Sequence, residues 1–207
     1  MEEIDLWQYE RQALAEGHVH ICGCDEAGAG PLAGPVYAAA VILPMGADIP
    51  GLNDSKKLTE KRREALFPVI QTTALAWSVA SISPQEIDES DILTARMRCM
   101  QLAIDGLSLP ADFALVDGNR DHGRGGGVTT PHRCIVKGDS LSASVAAASI
   151  LAKVSRDRFM LEMDEEYPQY GFATHKGYGT RAHYAALREF GPCPIHHRTF
   201  LKNLHAE

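Results

Sequence analysis

Carboxylates at the ends of apolar runs constrain this chain more than any other feature. Asp25-Glu26, Asp117 and Asp139 each follow a short strand-like run and precede a glycine-containing loop or a helix start. In an open α/β sheet, ligands gather where strand ends meet loops. Acids converging there repel one another unless a divalent cation compensates. Hard oxygen donors with no histidine beside them favour Mg²⁺ or Mn²⁺ over zinc. Two such ions, roughly 3.5–4 Å apart, would activate a water and stabilise the leaving oxygen in phosphodiester hydrolysis. Taken singly, each acid is more simply an N-cap or a solvated turn, and Asp139, just before Ser140, suits an N-cap especially well. Only the set, with its flanking residues, outweighs that simpler reading.

The order of elements supports a sheet. Val19 to Asp25, Val36 to Leu43 and Leu75 to Ile82 read as three early strands, and Phe113 to Asp117 and Cys134 to Lys137 as two later ones. Thr59 to Thr72 is expected to be helical. Ser83-Pro84-Gln85-Glu86 is a helix start with a capping box, running to Ile104 with a break near Ser90. A long Ala-rich helix is expected from Ser140 to about Met163, and another from Thr180 to Phe190, stopped by Gly191 and Pro192. The pattern implies one α/β domain over residues 1–207, with helices packed on a mixed sheet. Adjacent strand residues face opposite ways, so Asp25 and Glu26 cannot both reach one metal from a regular strand. Either the strand ends at Asp25, or Glu26 reaches a second metal, or its backbone carbonyl is the ligand.

Composition excludes several classes. A 45% hydrophobic and 23% charged chain has ample material for a core. Its longest apolar runs are too short to span a bilayer, and the acidic N-terminus lacks the regions of a signal peptide, so a cytosolic protein is expected. The five cysteines lack CxxC pairing, which indicates neither a disulfide framework nor a zinc ribbon, and Cys22 and Cys24 read as small core residues. A net charge of −7 confines any nucleic-acid face to a local patch, for which Lys56, Lys57, Lys61, Arg62 and Arg63 are the evident cluster. No heptad is evident, so a monomer is expected.

Several motifs, in order, resemble ribonuclease HII, the type 2 ribonuclease H. They are Gly23-Cys24-Asp25-Glu26-Ala27-Gly28-Ala29-Gly30-Pro31-Leu32-Ala33-Gly34-Pro35-Val36, Leu52-Asn53-Asp54-Ser55-Lys56-Lys57-Leu58, Val116-Asp117-Gly118-Asn119 and Val136-Lys137-Gly138-Asp139. The stretch Ala146 to Asp157, then Tyr167 to Phe172, His175-Lys176-Gly177-Tyr178 and His196-His197-Arg198 complete the pattern. The resemblance implies a ribonuclease H-like mixed sheet flanked by helices, about residues 18–165, with a helical C-terminal extension over about 166–207. It implies hydrolysis of RNA in RNA–DNA hybrids and at single ribonucleotides embedded in duplex DNA. The cut would fall 5′ of the ribonucleotide and leave 3′-hydroxyl and 5′-phosphate ends.

By motif position, the resemblance makes Asp25, Glu26, Asp117 and Asp139 the metal-binding carboxylates, with Mg²⁺ or Mn²⁺ as cofactor. It makes Tyr178 the residue that stacks on the sugar at the RNA–DNA junction and senses the 2′-hydroxyl. Gly28, Ala29 and Gly30 would present backbone groups to the junction, and Lys56 and Lys57 would contact backbone phosphates. Lys61, Arg62 and Arg63 read instead as a solvated helix face. Lys153 and Arg156 suit surface pairing or phosphate contact, and His196 and His197 suit DNA contact or a helix cap. For Asp157 an ion pair with Arg156 or Arg158 is the simpler explanation. Where the family usually has Gly-Arg-Gly, this chain has Gly28-Ala29-Gly30. Losing such a phosphate contact costs ~1.5–3 kcal/mol, the range for hydrogen bonds to charged groups. A hybrid-binding protein with impaired turnover or junction reading is therefore the alternative. The Gly123-Arg124-Gly125 run is not assigned the missing role.

Overall fold

The computed structural model describes residues 5–123 and 126–201, so Arg124 and Gly125 lie outside the described residues. Five strands form the main sheet: β1 (Ile21–Ala27), β2 (Val36–Ile42), β3 (Ala76–Ile82), β4 (Phe113–Asp117) and β7 (His132–Ile135). Two short strands, β5 (His122–Gly123) and β6 (Gly126–Gly127), make a separate hairpin within the glycine-rich stretch. The main order is β3-β2-β1-β4-β7, with β1–β2 and β2–β3 antiparallel and β1–β4 and β4–β7 parallel. The expected mixed α/β sheet is what forms.

Helices cover both faces. On one side α4 (Ile92–Asp105) packs Ala95, Met97, Cys99 and Met100 against Cys22 and Cys24 of β1 and Ala38 and Ala40 of β2. On the other side lies α5 (Ala143–Glu166), a helix buried nearly all round in its first half, as its run of alanines requires. Its approach to β1 is set by Gly23, where an added Cβ would lie 2.1 Å from the Ser144 carbonyl carbon. Only glycine lets strand and helix meet that closely.

Caps explain most of the boundaries. Thr59 accepts from Arg62 N–H to start α2 (Glu60–Thr73). Ser83 and Glu86 form the expected capping box of α3 (Pro84–Glu89), and Asp91 restarts the helix as α4 after the break at Ser90. Among the boundaries that differ from expectation, three bear on the acids. β1 runs through Ala27, past both of its acids, and β7 starts at His132 rather than Cys134. The cap of α5 is Ser142, whose Oγ accepts from Val145 N–H. Asp139 sits earlier, in a short 3₁₀ turn over Gly138–Ser140, and is no N-cap of the long helix.

The C-terminal region contains α6 (Phe172–His175) and α7 (Arg181–Phe190), with α1 (Gln8–Ala15) at the other end of the chain. Tyr170, Phe172 and Leu187 bury against Met160 of α5 and against Leu32 and Ala33 of the glycine loop. Backbone bonds stitch this region to that loop: Leu32 N–H to Gly177 O at 2.8 Å, Gly34 N–H to Ile195 O at 2.8 Å, and His197 N–H to Leu32 O at 2.9 Å. Among the described residues, no helix is long and apolar enough to cross a membrane.

Candidate active site

Parallel register brings the first two acids together. Cys24 pairs with Val116, so the next residues along the two strands, Asp25 and Asp117, are neighbours on the face that carries Gly23 and Leu115. That face looks toward α5. Asp139 arrives from the 3₁₀ turn before α5, and its N–H donates to Asp117 Oδ1 at 3.4 Å. Asp25 is 3% exposed and Asp139 is 4% exposed. Burial above all, then the charges of Glu26 and Asp117, pushes the Asp25 carboxyl well above the ordinary range. Burial, then Asp117 and Asp54, raises Asp139 from 3.8 to about 6. The nearest cation, Lys56 Nζ, lies 3.7 Å from Asp139 Oδ2 on a largely exposed side chain.

Glu26 does not join the trio on that face. Because β1 continues through it, its side chain turns toward α4, where Oε1 forms an ion pair with Arg96. Burial raises its carboxyl, and the Arg96 guanidinium offsets only part of that. Glu26 Oε2 is buried with no hydrogen-bond partner among the described residues. An all-oxygen, negatively charged and buried donor set with an orphaned carboxylate oxygen fits a divalent cation of the Mg²⁺ or Mn²⁺ type. The strand does not end at Asp25, which removes one of the three alternatives for Glu26.

Lys56 and Lys57 stand at the rim on a 3₁₀ turn over Ser55–Lys57, capped by Asp54, whose Oδ1 accepts from Lys56 N–H at 2.9 Å. Lys57 Nζ donates to Ser140 Oγ at 2.9 Å. Arg63 departs from the expected solvated face: it bonds the carbonyls of Ser55 at 2.9 Å and Leu58 at 2.6 Å, and pairs with Asp157 at 3.8 Å. Asp157 is indeed ion-paired, but with Arg63 and, at 2.7 Å, Lys153, not with Arg156 or Arg158. Asp117, Asp139 and Lys57 line one depression, Asp25, Glu26, the glycine loop and Tyr178 line a second, and Lys56 belongs to both. The result is a groove with the acids midway and lysines at its edge.

The glycine loop is held from beneath. Gly28 has φ +107°, and a Cβ there would strike Arg156 Nε at 2.3 Å. Arg156 is 1% exposed, so it neither pairs at the surface nor touches substrate phosphate. Its guanidinium donates to the carbonyls of Ala33, Pro35 and Lys176, tying the loop to the turn before Tyr178. Tyr178 is 47% exposed, and its ring flanks Gly30. Histidines fix that turn from inside. His175 Nδ1 accepts from Gly177 N–H, leaving Nε2–H to donate to Tyr170 O at 2.8 Å. His183 Nδ1 donates to Tyr178 O at 2.9 Å, and its Nε2 faces His196 Nε2 at 2.9 Å. His196 and His197 are buried, so they contact no DNA. Sequence reasoning missed Arg96 entirely, and it misplaced Arg63 and Arg156, whose partners are mostly backbone carbonyls that leave no trace in sequence.

This geometry has close relatives. The family model described as Ribonuclease HII matches residues 22–206. The chain belongs to the ribonuclease HII family. The ribonuclease HII of Ruminiclostridium cellulolyticum is 54% identical over 96% of this chain and 76% of its own length. That of Geobacter metallireducens is 50% identical over 96% of this chain and 91% of its own. Among solved structures, the ribonuclease H2 of Pyrococcus horikoshii superimposes with a TM-score of 0.72 at 27% identity, covering 87% of this chain and 93% of that one. This ribonuclease HII is accordingly an endonuclease that hydrolyses RNA in RNA–DNA hybrids, in a divalent-metal-dependent family.

Proposed function

We propose that this ribonuclease HII cuts on the 5′ side of a ribonucleotide, both in continuous hybrids and at single ribonucleotides embedded in duplex DNA. The observation that carries the reading is the convergence of buried Asp25 and Asp139 with half-buried Asp117 beside a groove edged by Tyr178 and lysines. In the reaction, a water oxygen bonds to phosphorus and the bond from phosphorus to the preceding 3′ oxygen breaks. That oxygen takes up a proton, which leaves 3′-hydroxyl and 5′-phosphate ends. Asp25, Asp117 and Asp139, with the orphaned Glu26 Oε2 from the opposite face, would hold Mg²⁺ or Mn²⁺ ions, which supply water activation and charge stabilisation.

The remaining steps belong to the chain's own groups. Lys56 and Lys57 pair with backbone phosphates and set the register of the duplex. The Tyr178 ring stacks on the junction sugar, and its hydroxyl reads the 2′-hydroxyl that separates RNA from DNA. Gly28, Ala29 and Gly30 let the backbone approach the junction closely, with Arg156 keeping loop and tyrosine in step.

Ala29 favours a second reading, a hybrid binder with little turnover. Against it stands the cost of retaining buried acids that a binder does not need. The test offers three duplexes in Mg²⁺ or Mn²⁺: one embedded ribonucleotide, a continuous hybrid, and plain DNA. Incision of the first two with 5′-side ends supports the enzyme. Cutting of the continuous hybrid alone would refute the junction reading, and binding without cutting would establish the binder.

A further inference from the structure

A second cluster lies beyond β4, outside everything the catalytic reading uses. Asp121 ends the loop that follows Asp117, and His132 and Cys134 project from β7, the edge strand. One donor atom from each, a carboxylate oxygen, an imidazole nitrogen and the thiol sulfur, lies within 4.8 Å of the others.

The imidazole is oriented as a ligand. His132 Nδ1 is 2.7 Å from the Thr130 carbonyl, an acceptor, so Nδ1 carries the proton that bonds it. In the neutral ring Nε2 is then a bare lone pair, yet it faces Asp121 Oδ2 at 3.2 Å. Two acceptors at that distance repel unless a second ring proton or a metal cation lies between them, and the Cys134 thiol within 4.8 Å is the donor that a metal, but not a proton, would use. Backbone anchoring of one ring nitrogen is the usual way a metal-binding histidine is fixed. His122 Nδ1 holds the other oxygen of Asp121 at 2.5 Å, and this leaves Oδ2 directed at His132.

We propose that Asp121, His132 and Cys134 form a binding site for a borderline-soft divalent cation of the zinc class. Thiolate and imidazole donors select such a metal over Mg²⁺ or Mn²⁺, so the site differs in kind from the carboxylate centre. With metal–ligand bonds of about 2.0–2.3 Å, tetrahedral donors stand roughly 3.3–3.7 Å apart, so atoms now within 4.8 Å of one another need close by at most about 1.5 Å. Three protein ligands leave a fourth position for water. Binding releases the Cys134 thiol proton to solvent. The cation would pin the loop after Asp117 to β7, which Val128 N–H already approaches by bonding Asp121 O at 2.8 Å.

The test is titration of the chelator-treated full chain with Co²⁺ alone, followed by absorption. The expected result is a near-ultraviolet thiolate-to-cobalt band with visible tetrahedral bands, saturating at a single equivalent and bleached by Zn²⁺. Cys134→Ser should lose the thiolate band, and His132→Ala should weaken binding by at least about tenfold. Asp121→Asn, at a half-exposed side chain, should weaken it as well. Asp117→Asn should keep the band, because the carboxylate centre has no thiolate. No thiolate band in the wild type would overturn the proposal and leave His132 and Asp121 as an ion pair held by a proton. A band that survives Cys134→Ser would overturn it too.

Discussion

Replacing Asp139 with asparagine should stabilise the metal-free protein while abolishing turnover. Asp139 is 4% exposed, and its carboxyl is raised from 3.8 to about 6, first by burial and then by Asp117 and Asp54. At 1.36 kcal/mol for each tenfold change in proton affinity, that rise, already tempered by Lys56, sets an upper limit of about 3 kcal/mol on the cost to the ionised folded state, which solvent screening reduces. Below about pH 4 the group is protonated in folded and unfolded chains alike, and the cost vanishes. Between about pH 4 and 6 the folded state keeps a proton that the unfolded chain releases, so this contribution to stability falls as pH rises. Above about pH 7 the cost is complete. Urea unfolding in EDTA should therefore find Asp139→Asn more stable than wild type by up to about 3 kcal/mol at pH 7.5, and equal to it near pH 4. Subtracting the two proteins cancels the titrating groups remote from Asp139, while Asp25, relieved of the Asp139 charge, adds to the difference in the same direction. Excess Mg²⁺ should reverse the order, because only the wild type binds it well. A variant less stable than wild type at pH 7.5, or one whose advantage ignores pH, would refute the claim that burial and the neighbouring acids outweigh Lys56.

Other expectations follow from the same geometry. Ala29→Arg should tighten binding of single-ribonucleotide duplexes by about ten- to a hundredfold, the equivalent of ~1.5–3 kcal/mol, in a fluorescence-anisotropy titration. Tyr178→Ala should lower kcat/KM at an embedded ribonucleotide by about tenfold or more through lost stacking, while Tyr178→Phe loses mainly discrimination against plain DNA. Arg156→Met should leave three backbone carbonyls without their donor and cost about 3 kcal/mol or more in thermal or urea unfolding. Burial, then His183, lowers His196 to about 4, so its contribution to stability is present above about pH 6.5 and is lost as pH falls toward 4. His196→Asn should flatten that acid limb of the stability curve.

How much of this was legible depended on what each residue touches. Elements fixed by local chemistry were readable: Ser83 with Glu86 announced α3, the spacing of Leu66, Val69 and Ile70 announced α2, and the apolar run Phe113–Asp117 is a strand at those residues. Asp25, Asp117 and Asp139 were legible as a set, because each ends an apolar run. The direction of Glu26 was not, since it depended on β1 continuing to Ala27 and on Arg96 of α4 receiving it. β7 was placed late because it is an edge strand with partly exposed His132 and Arg133, which give no apolar alternation. Asp139 misled as a cap because Ser142, nearer the helix, does that work. Arg63 and Arg156 looked like surface cations because sequence shows charge and hides backbone carbonyls. The Asp121, His132 and Cys134 cluster has no metal-binding spacing and exists only through the pairing of β7 with β4.

The most direct test of the account is an anomalous-scattering map from crystals soaked in Mn²⁺. The account predicts a peak among the carboxylates of Asp25, Asp117 and Asp139, lost in Asp117→Asn together with incision of a duplex carrying one ribonucleotide. Incision that persists in Asp117→Asn, or manganese bound only away from those three side chains in an active crystal, would contradict it.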